Sequence, residues 1–420
     1  MEKYWRYILS AFFGVLLFAF DFEMFLASIP GLIALFNFNL NDINIINDTA
    51  FIVSAIAAFS FGYLADKYGR RLLFMITVLL YSFGSLITGF SFSVPTFMFS
   101  RGLTSVGAGT DEPLGFTLTA ETAPHKLRGR QMLITSLGFP VGQTFGAAVV
   151  YLFELYNIHL TYVFFIGVLP ALFILYFRKS LPETDRFMDL RKAKNDYIQN
   201  KKEETTRYSA NLREAIKNPF VQMFHRDLRR KSILIAIYAA ILSGSATISL
   251  VALPIYYVEI KHIAFLDTLS FEFISFGIGI IGYIFAAYLG NKIGRRNVMA
   301  VFMFITSISV AGIILSTSYY YVLLFNIVFI FFLLSQWAAW PFYVNDMFPT
   351  RVRATASTYG YAFMWIGNII MPTSLLSLVY IIGWNQSIIY ILMIPIIFSI
   401  IISSLLNRDI PNRILEKNAV

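Results

Sequence analysis

The chain contains no cysteine. Disulfides, thiolate metal sites and cysteine nucleophiles are excluded at once, while the redox compartment is left open. Charge is also scarce. Only 14% of the 420 residues are Asp, Glu, Lys or Arg, against about 25% in a soluble domain, so there is too little polar surface to cover a water-soluble globule. The four histidines, His125, His159, His225 and His262, are scattered without metal-ligand spacing. There is no Walker loop, because the glycine-rich run after Arg101 lacks the Gly-Lys-Ser/Thr ending that cradles a phosphate. An enzyme, a metal site and an ATP-driven pump are therefore not expected, nor is any cofactor.

What the chain has instead is apolar residues, 57% of the total, with a mean hydropathy of +0.67. They come in blocks of about 20 residues, the length of a membrane-spanning helix. The first block, Tyr7 to Phe36, is too long for a signal-peptide core. Others follow near 47–65, 72–92, 95–122, 130–156 and 159–178, then near 232–258, 270–290, 297–316, 319–346, 354–382 and 386–406. The fold class expected is an all-α membrane protein of twelve transmembrane helices in two six-helix bundles. Residues 1–180 form the first bundle, 181–230 a cytoplasmic central loop, 231–406 the second bundle and 407–420 a cytoplasmic tail. The mixed charges of the central loop predict short surface helices at the membrane face.

The basic residues orient these spans. With the N-terminus in the cytoplasm, Lys67, Arg70 and Arg71, then Lys126, Arg128 and Arg130, then Lys292, Arg295 and Arg296, and finally Arg351 and Arg353 all fall on the cytoplasmic side. Arg101 and Lys261 are the exceptions. The same bias accounts for the net charge of +9, so no nucleic-acid partner is expected. A plasma-membrane location with both termini inside follows, and a monomer in a lipid bilayer is the expected state.

An internal repeat supports two halves. GYLADKYGRR at Gly62–Arg71 has its counterpart in AYLGNKIGRR at Ala287–Arg296. ETAPHKLRGR at Glu121–Arg130 has its counterpart in DMFPTRVRAT at Asp346–Thr355. Matched pairs at matched offsets point to duplicated bundles.

These residues resemble the major facilitator superfamily over nearly the whole chain. Gly62–Arg71 matches its loop signature, and PETDR at Pro182–Arg186 is similar to the run that ends the first half in sugar porters. The pattern from Arg101 through Gly107 and Gly109, the run from Glu121 and FPTRVRAT at Phe348–Thr355 resemble the sugar-porter and metabolite:proton-symporter branch. The resemblance implies secondary active transport of a small molecule with protons. It also implies a coupling pair: GVLLFAFD at Gly14–Asp21 is similar to the sugar-porter first helix, whose aspartate takes the proton, which maps to Asp21 with Arg101 as its partner. Depth agrees independently. At about 1.5 Å per residue, Asp21 lies roughly 21 Å from the cytoplasmic start of its helix and Arg101 roughly 9 Å below the extracellular start of its own, which puts both at one level in a core of about 30 Å. The alternative is a permanent ion pair that only joins two helices.

Glu112 lies eleven residues after Arg101, close to three turns, and so shares its face; it is a candidate second proton or substrate site, or a hydrated carboxylate facing a neighbouring helix. Asp111 points about 100° away from it. Asp-Glu-Pro here resembles the acidic-x-Pro segment of the nicotinate and synaptic-vesicle-like branch. Glu23 points roughly 200° round the helix from Asp21, and its role is open. Gly107 and Gly109 predict close packing against the first or second helix.

At the cytoplasmic ends, Gly62, Asp66, Arg70, Arg71, Glu121, Arg128, Asn291, Arg295, Asp346 and Arg353 match gate positions of the family, which uses such charges in salt-bridge latches. Asn291 stands where the signature has Asp, so the second copy is one charge short. For the substrate cavity the candidates are Glu23, Asp111, Ser136, Gln143, Gln336, Trp337, Trp340 and Asn368, with helix packing as the plain alternative for each. Aligned with hexose porters, Gln143 matches a glutamine of the fifth helix, whereas Ser136 replaces the other and the seventh helix lacks its Gln/Asn run. This speaks against an ordinary hexose. Arg101, once freed by protonation of Asp21, is suited to a carboxylate. The reading is proton-coupled symport of a small metabolite, an organic acid above all. A sugar or polyol symporter, a proton-driven drug or metabolite exporter, and a non-transporting sensor on the same fold are the alternatives.

Overall fold

The computed structural model describes residues 3–124, 127–156, 158–168, 178–179, 181–198 and 218–409. Helices and short connections account for these residues, with no strand among them. Five long helices come first: α1 Lys3–Phe36, α2 Leu40–Tyr68, α3 Arg70–Gly89, α4 Val94–Thr122 and α5 Arg128–Leu155. A single 3-10 turn then leads into the short α6, Val163–Ile166, the described start of the sixth block. His125, Lys126 and residues 169–177 lie outside the described residues.

The central region supplies α7, Asp185–Ile198, and the short α8, Pro219–Met223. Both stand where mixed charges predicted surface helices; the charges of Lys201–Glu204 lie outside the described residues. The remaining helices are α9 Arg229–Glu259, α10 Phe265–Ile293, α11 Arg295–Leu315, α12 Tyr319–Leu334, α13 Trp340–Met347, α14 Arg353–Ile382, α15 Trp384–Ile388 and α16 Ile394–Leu405.

Among the described residues ten helices or helix runs are long and apolar enough to cross a membrane. The 29-residue α4 is not one of them, since it carries Arg101, Asp111, Glu112 and Glu121.

Local chemistry explains the boundaries. α2 begins seven residues before the apolar block because Asn39 caps it. The Asn39 side chain accepts from Asp42 N at 2.9 Å, and the Asp42 carboxylate accepts from Asn39 N at 2.9 Å. α2 and α3 are separated by one residue, Gly69, at φ 120°, and α10 and α11 by Gly294 at φ 87°. A side chain disfavours such φ values, so both copies of the loop signature turn on a glycine.

The tenth block, expected as one span, is broken. α12 passes through a 3-10 turn at Ser335–Ala338 into α13. Pro341 has no N–H for the preceding turn, and its ring crowds the carbonyl four residues earlier.

Two compact units result. The first takes the described residues up to Ser232 together with Val344–Ala362; the second takes Ile233–Tyr343 and the described residues from Phe363 onward. In the first unit α1 lies along α5, and α4 lies against α1, α2 and α3. Gly109 meets Ser54 of α2. Gly107 meets Thr77 and Tyr81 of α3, which corrects its expected place against the first or second helix.

Candidate functional site

Asp21 of α1 and Arg101 of α4 meet in the first unit, 3% and 5% exposed. Arg101 Nη1 donates to Asp21 Oδ2 at 2.8 Å, and Ser85 Oγ of α3 donates to Asp21 Oδ1 at 2.6 Å. The guanidinium also lies 4.4 Å from the centroid of the Phe25 ring. Both carboxylate oxygens are thus engaged, and the cation is held by charge and by an aromatic face. A pair of this kind in an apolar interior is costly to desolvate, and breaking it by removing one partner costs about 3–5 kcal/mol.

Asp111 pairs with buried Arg178: Arg178 Nη2 donates to Asp111 Oδ2 at 2.8 Å, and Nη1 donates to Asp111 Oδ1 at 2.5 Å. Thr77 Oγ1 donates to Asp111 Oδ1 at 2.6 Å, and Arg178 stacks on Phe74. Gly14 of α1 leaves room for this pair, since a Cβ there would strike Arg178 and Asp111. Glu112, one residue on, is buried and directed elsewhere, to Tyr361 of α14. Glu23 accepts from Gln143 Nε2 of α5 at 3.3 Å. Ser136 is buried, with its hydroxyl donating to Leu133 O of its own helix at 2.9 Å.

A second cluster gathers the charges that the sequence placed at the expected cytoplasmic helix ends of the first unit. Glu121 Oε1 lies 3.0 Å from Arg70 Nη2 and 3.2 Å from Arg353 Nη1. Thr184 Oγ1 donates to Glu121 Oε2 at 2.9 Å. Arg128 Nη1 lies 3.3 Å from Asp346 Oδ1. The two copies of the repeated motif therefore exchange partners: the acid of the first meets the arginine of the second, and the reverse. Asp66 accepts from Arg70 Nη2 at 3.0 Å and from the N–H and hydroxyl of Thr355 at 2.8 and 2.7 Å. Gly62 packs on Thr358, where a side chain would collide. Arg71, expected with Asp66, turns away, donating from Nη2 to Lys179 O at 2.9 Å and from its N–H to Glu183 Oε2 at 3.1 Å.

In the second unit Arg295 is buried, and its N–H donates to Asp409 Oδ2 at 2.8 Å. Asn291, at the gate position where the signature has Asp, is exposed. Gln336 accepts from Tyr238 Oη at 3.1 Å and donates to Met299 O at 3.2 Å. Trp337 and Trp340 are buried at the break between α12 and α13. Asn368, with its amide nitrogen turned toward α9, reaches Ser243 O and Thr247 Oγ1, each at 2.9 Å. Reading the sequence missed Ser85, Arg178, Glu183, Thr355, Tyr361 and Asp409. Of these, Glu183 and Thr355 lay within motifs the sequence shows, PETDR and FPTRVRAT, without any sign of their partners.

The protein is thus a polytopic helical one, with buried, paired charges in its spans and a charged cluster at one end of them. The sequence profile described as Major Facilitator Superfamily matches residues 11–333 and 273–419. The chain belongs to the major facilitator superfamily. It is a multi-pass membrane transporter with the twelve-helix architecture of that family, and not an enzyme.

Among its relatives is a protein assigned as a niacin/nicotinamide transporter, NiaP of Bacillus subtilis (strain 168), 27% identical over 76% of this chain and 74% of the relative. The sialic acid transporter NanX of Escherichia coli (strain K12) is 25% identical over 97% of this chain and 95% of its own. The solved proton:xylose symporter XylE, bound to 6-bromo-6-deoxy-D-glucose, superposes with a TM-score of 0.75 at 18% identity, over 96% of this chain and 94% of that one. At that identity it speaks for the fold alone.

Proposed function

We propose that this transporter is a proton-coupled symporter of a small organic acid, working by alternating access in the plasma membrane as a monomer with both termini cytoplasmic. The observation that carries the reading is the buried Asp21–Arg101 pair with Ser85 on the second carboxylate oxygen. A proton delivered to Asp21 removes the negative charge that holds Arg101. The freed guanidinium then offers its planar fork to a carboxylate, which it fits with two parallel hydrogen bonds. Loss of the pair lets the six-helix halves, residues 1–180 and 231–406, rock about the site. Glu112 serves as a second acid further along α4, and the Glu121, Arg353, Asp346 and Arg128 cluster serves as the cytoplasmic latch. Of the cargoes named for two relatives, niacin and sialic acid are carboxylic acids and support the substrate class, while nicotinamide, named beside niacin, is a neutral amide.

The test is uptake into proteoliposomes with an imposed inward proton gradient, screening labelled organic acids beside sugars and polyols. Gradient-driven accumulation of an acid is expected, and uptake indifferent to the gradient sinks the coupling. Asp21→Asn should abolish concentrative uptake, a loss of at least about tenfold, the factor that 1.4 kcal/mol represents, while leaving counterflow exchange. A non-transporting sensor would show neither flux.

A further inference from the structure

The spans of the first unit contain acids of two kinds. Asp21 and Asp111 each face an arginine, so each pair is neutral as a whole. Glu23 does not. Among the described residues the side chain that faces it is the neutral amide of Gln143, and no charged group does. On its own helix, Asp21 is turned toward Ser85 and Arg101, and Arg101 is already held by Asp21 and Phe25. From α5, the approach to Glu23 is made by Gln143 and by Gly146, whose missing Cβ would lie 2.9 Å from Glu23 Cβ. The stem of Glu23 is therefore pinned between two close helices.

The amide carries a second clue. Gln143 is 4% exposed, and its Oε1 is buried without a hydrogen-bond donor. An amide presents an N–H and a C=O side by side, and so does a carboxylic acid with its O–H and C=O. Set against each other, the two close a ring of two hydrogen bonds. The Gln143 N–H already reaches Glu23 Oε2. The single missing element is a donor for Gln143 Oε1, and the O–H of a neutral Glu23 supplies it. An ionised Glu23 accepts only, which leaves the buried Gln143 Oε1 without a donor, and that is unfavourable.

We infer that Glu23 holds a proton in this conformation, as a carboxylic acid closed in a two-bond ring with the Gln143 amide, and is a second proton site on α1 beside Asp21. Losing the proton keeps the Gln143 N–H bond and breaks the bond to Oε1, so the unloaded state is locally strained toward reloading. The use of this proton in transport rests on the symport reading above; its presence on Glu23 does not.

Infrared absorption of the full-length protein in lipid bilayers tests this with the proton itself as probe. At neutral pH the wild type should show a protonated-carboxyl C=O band that shifts down on exchange into D2O and is missing from Glu23→Gln. Gln143→Leu keeps Glu23 but removes its partner, so the same band should move to higher frequency. Asp21→Asn should leave it in place. Glu23→Gln is isosteric and forms an amide pair with Gln143, which preserves packing. Carboxyl regions of the wild type and Glu23→Gln that superimpose at neutral pH overturn the proposal, and so does a Glu23 band unmoved by Gln143→Leu. Neither result depends on transport, so the symport reading stands or falls separately.

Discussion

The two copies of the loop signature turn on the same residue and part company immediately afterwards. Gly69 and Gly294 both lie at positive φ, and the helix that follows each has its first N–H groups held by an acid from far along the chain. For α3 that acid is Glu183, on Arg71 N. For α11 it is Asp409, which takes Arg295 N at 2.8 Å and Arg296 N at 3.0 Å. Each acid follows the last span of its half and sits at the positive end of a helix dipole. The acid one turn before the glycine differs. Asp66 is buried and binds Arg70 and Thr355, whereas Asn291 is exposed. The two copies thus share the helix cap, and the buried acid before the glycine is found in one of them.

Removing Glu121 should give the largest effect. Glu121→Gln leaves Arg70 and Arg353 without their shared carboxylate, at a cost of about 3–5 kcal/mol. The thermal unfolding midpoint in detergent should fall accordingly. Asp346→Asn, which breaks the 3.3 Å pair with Arg128, should cost less, about 1.5–3 kcal/mol. Equal shifts would mean that the two exchanged pairs are equivalent.

Next comes the interchange of the signature acids. Asp66→Asn gives the first copy the second copy's residue. The amide oxygen still accepts from Thr355, but Arg70 loses one of its two carboxylates, at about 1–3 kcal/mol. The reverse change, Asn291→Asp, adds a charge at an exposed position and should leave the melting midpoint where it was. A stabilising Asn291→Asp would show a vacant latch in the second copy.

The helix caps should give the smallest changes, about 0.5–2 kcal/mol each. Asp409→Asn should exceed Glu183→Gln, because Asp409 accepts from two N–H groups of the helix it caps, where Glu183 accepts from one, and lies 3.9 Å from Arg295 Nη1. Hydrogen exchange at the first turns of α3 and α11 separates the two.

Much of this architecture was legible beforehand. Block length and the distribution of Lys and Arg gave the spans, and the rise per residue placed Asp21 and Arg101 at one depth. Partners from other helices were harder. Ser85 and Arg178 became visible only with α3 beside α4 and the end of the sixth block beside both. Asp111 and Glu112 are neighbours in sequence, yet one turns to Arg178 and the other to Tyr361. A helical step of about 100° separates them, but nothing local says what stands on either side.

By itself, then, the sequence determined the all-helical, twelve-span class and the glycine turns of the repeat. Apolar length, charge bias and permitted φ are properties of a segment and its solvent, so they can be read one segment at a time. Only the tertiary structure decided which acids of the spans have a counter-charge. Asp21 and Asp111 have arginines, while Glu23 has an amide. That difference depends on the rotation and approach of separate helices, where a change of a few ångströms in a medium of low dielectric decides whether a charge is held or must be neutralised.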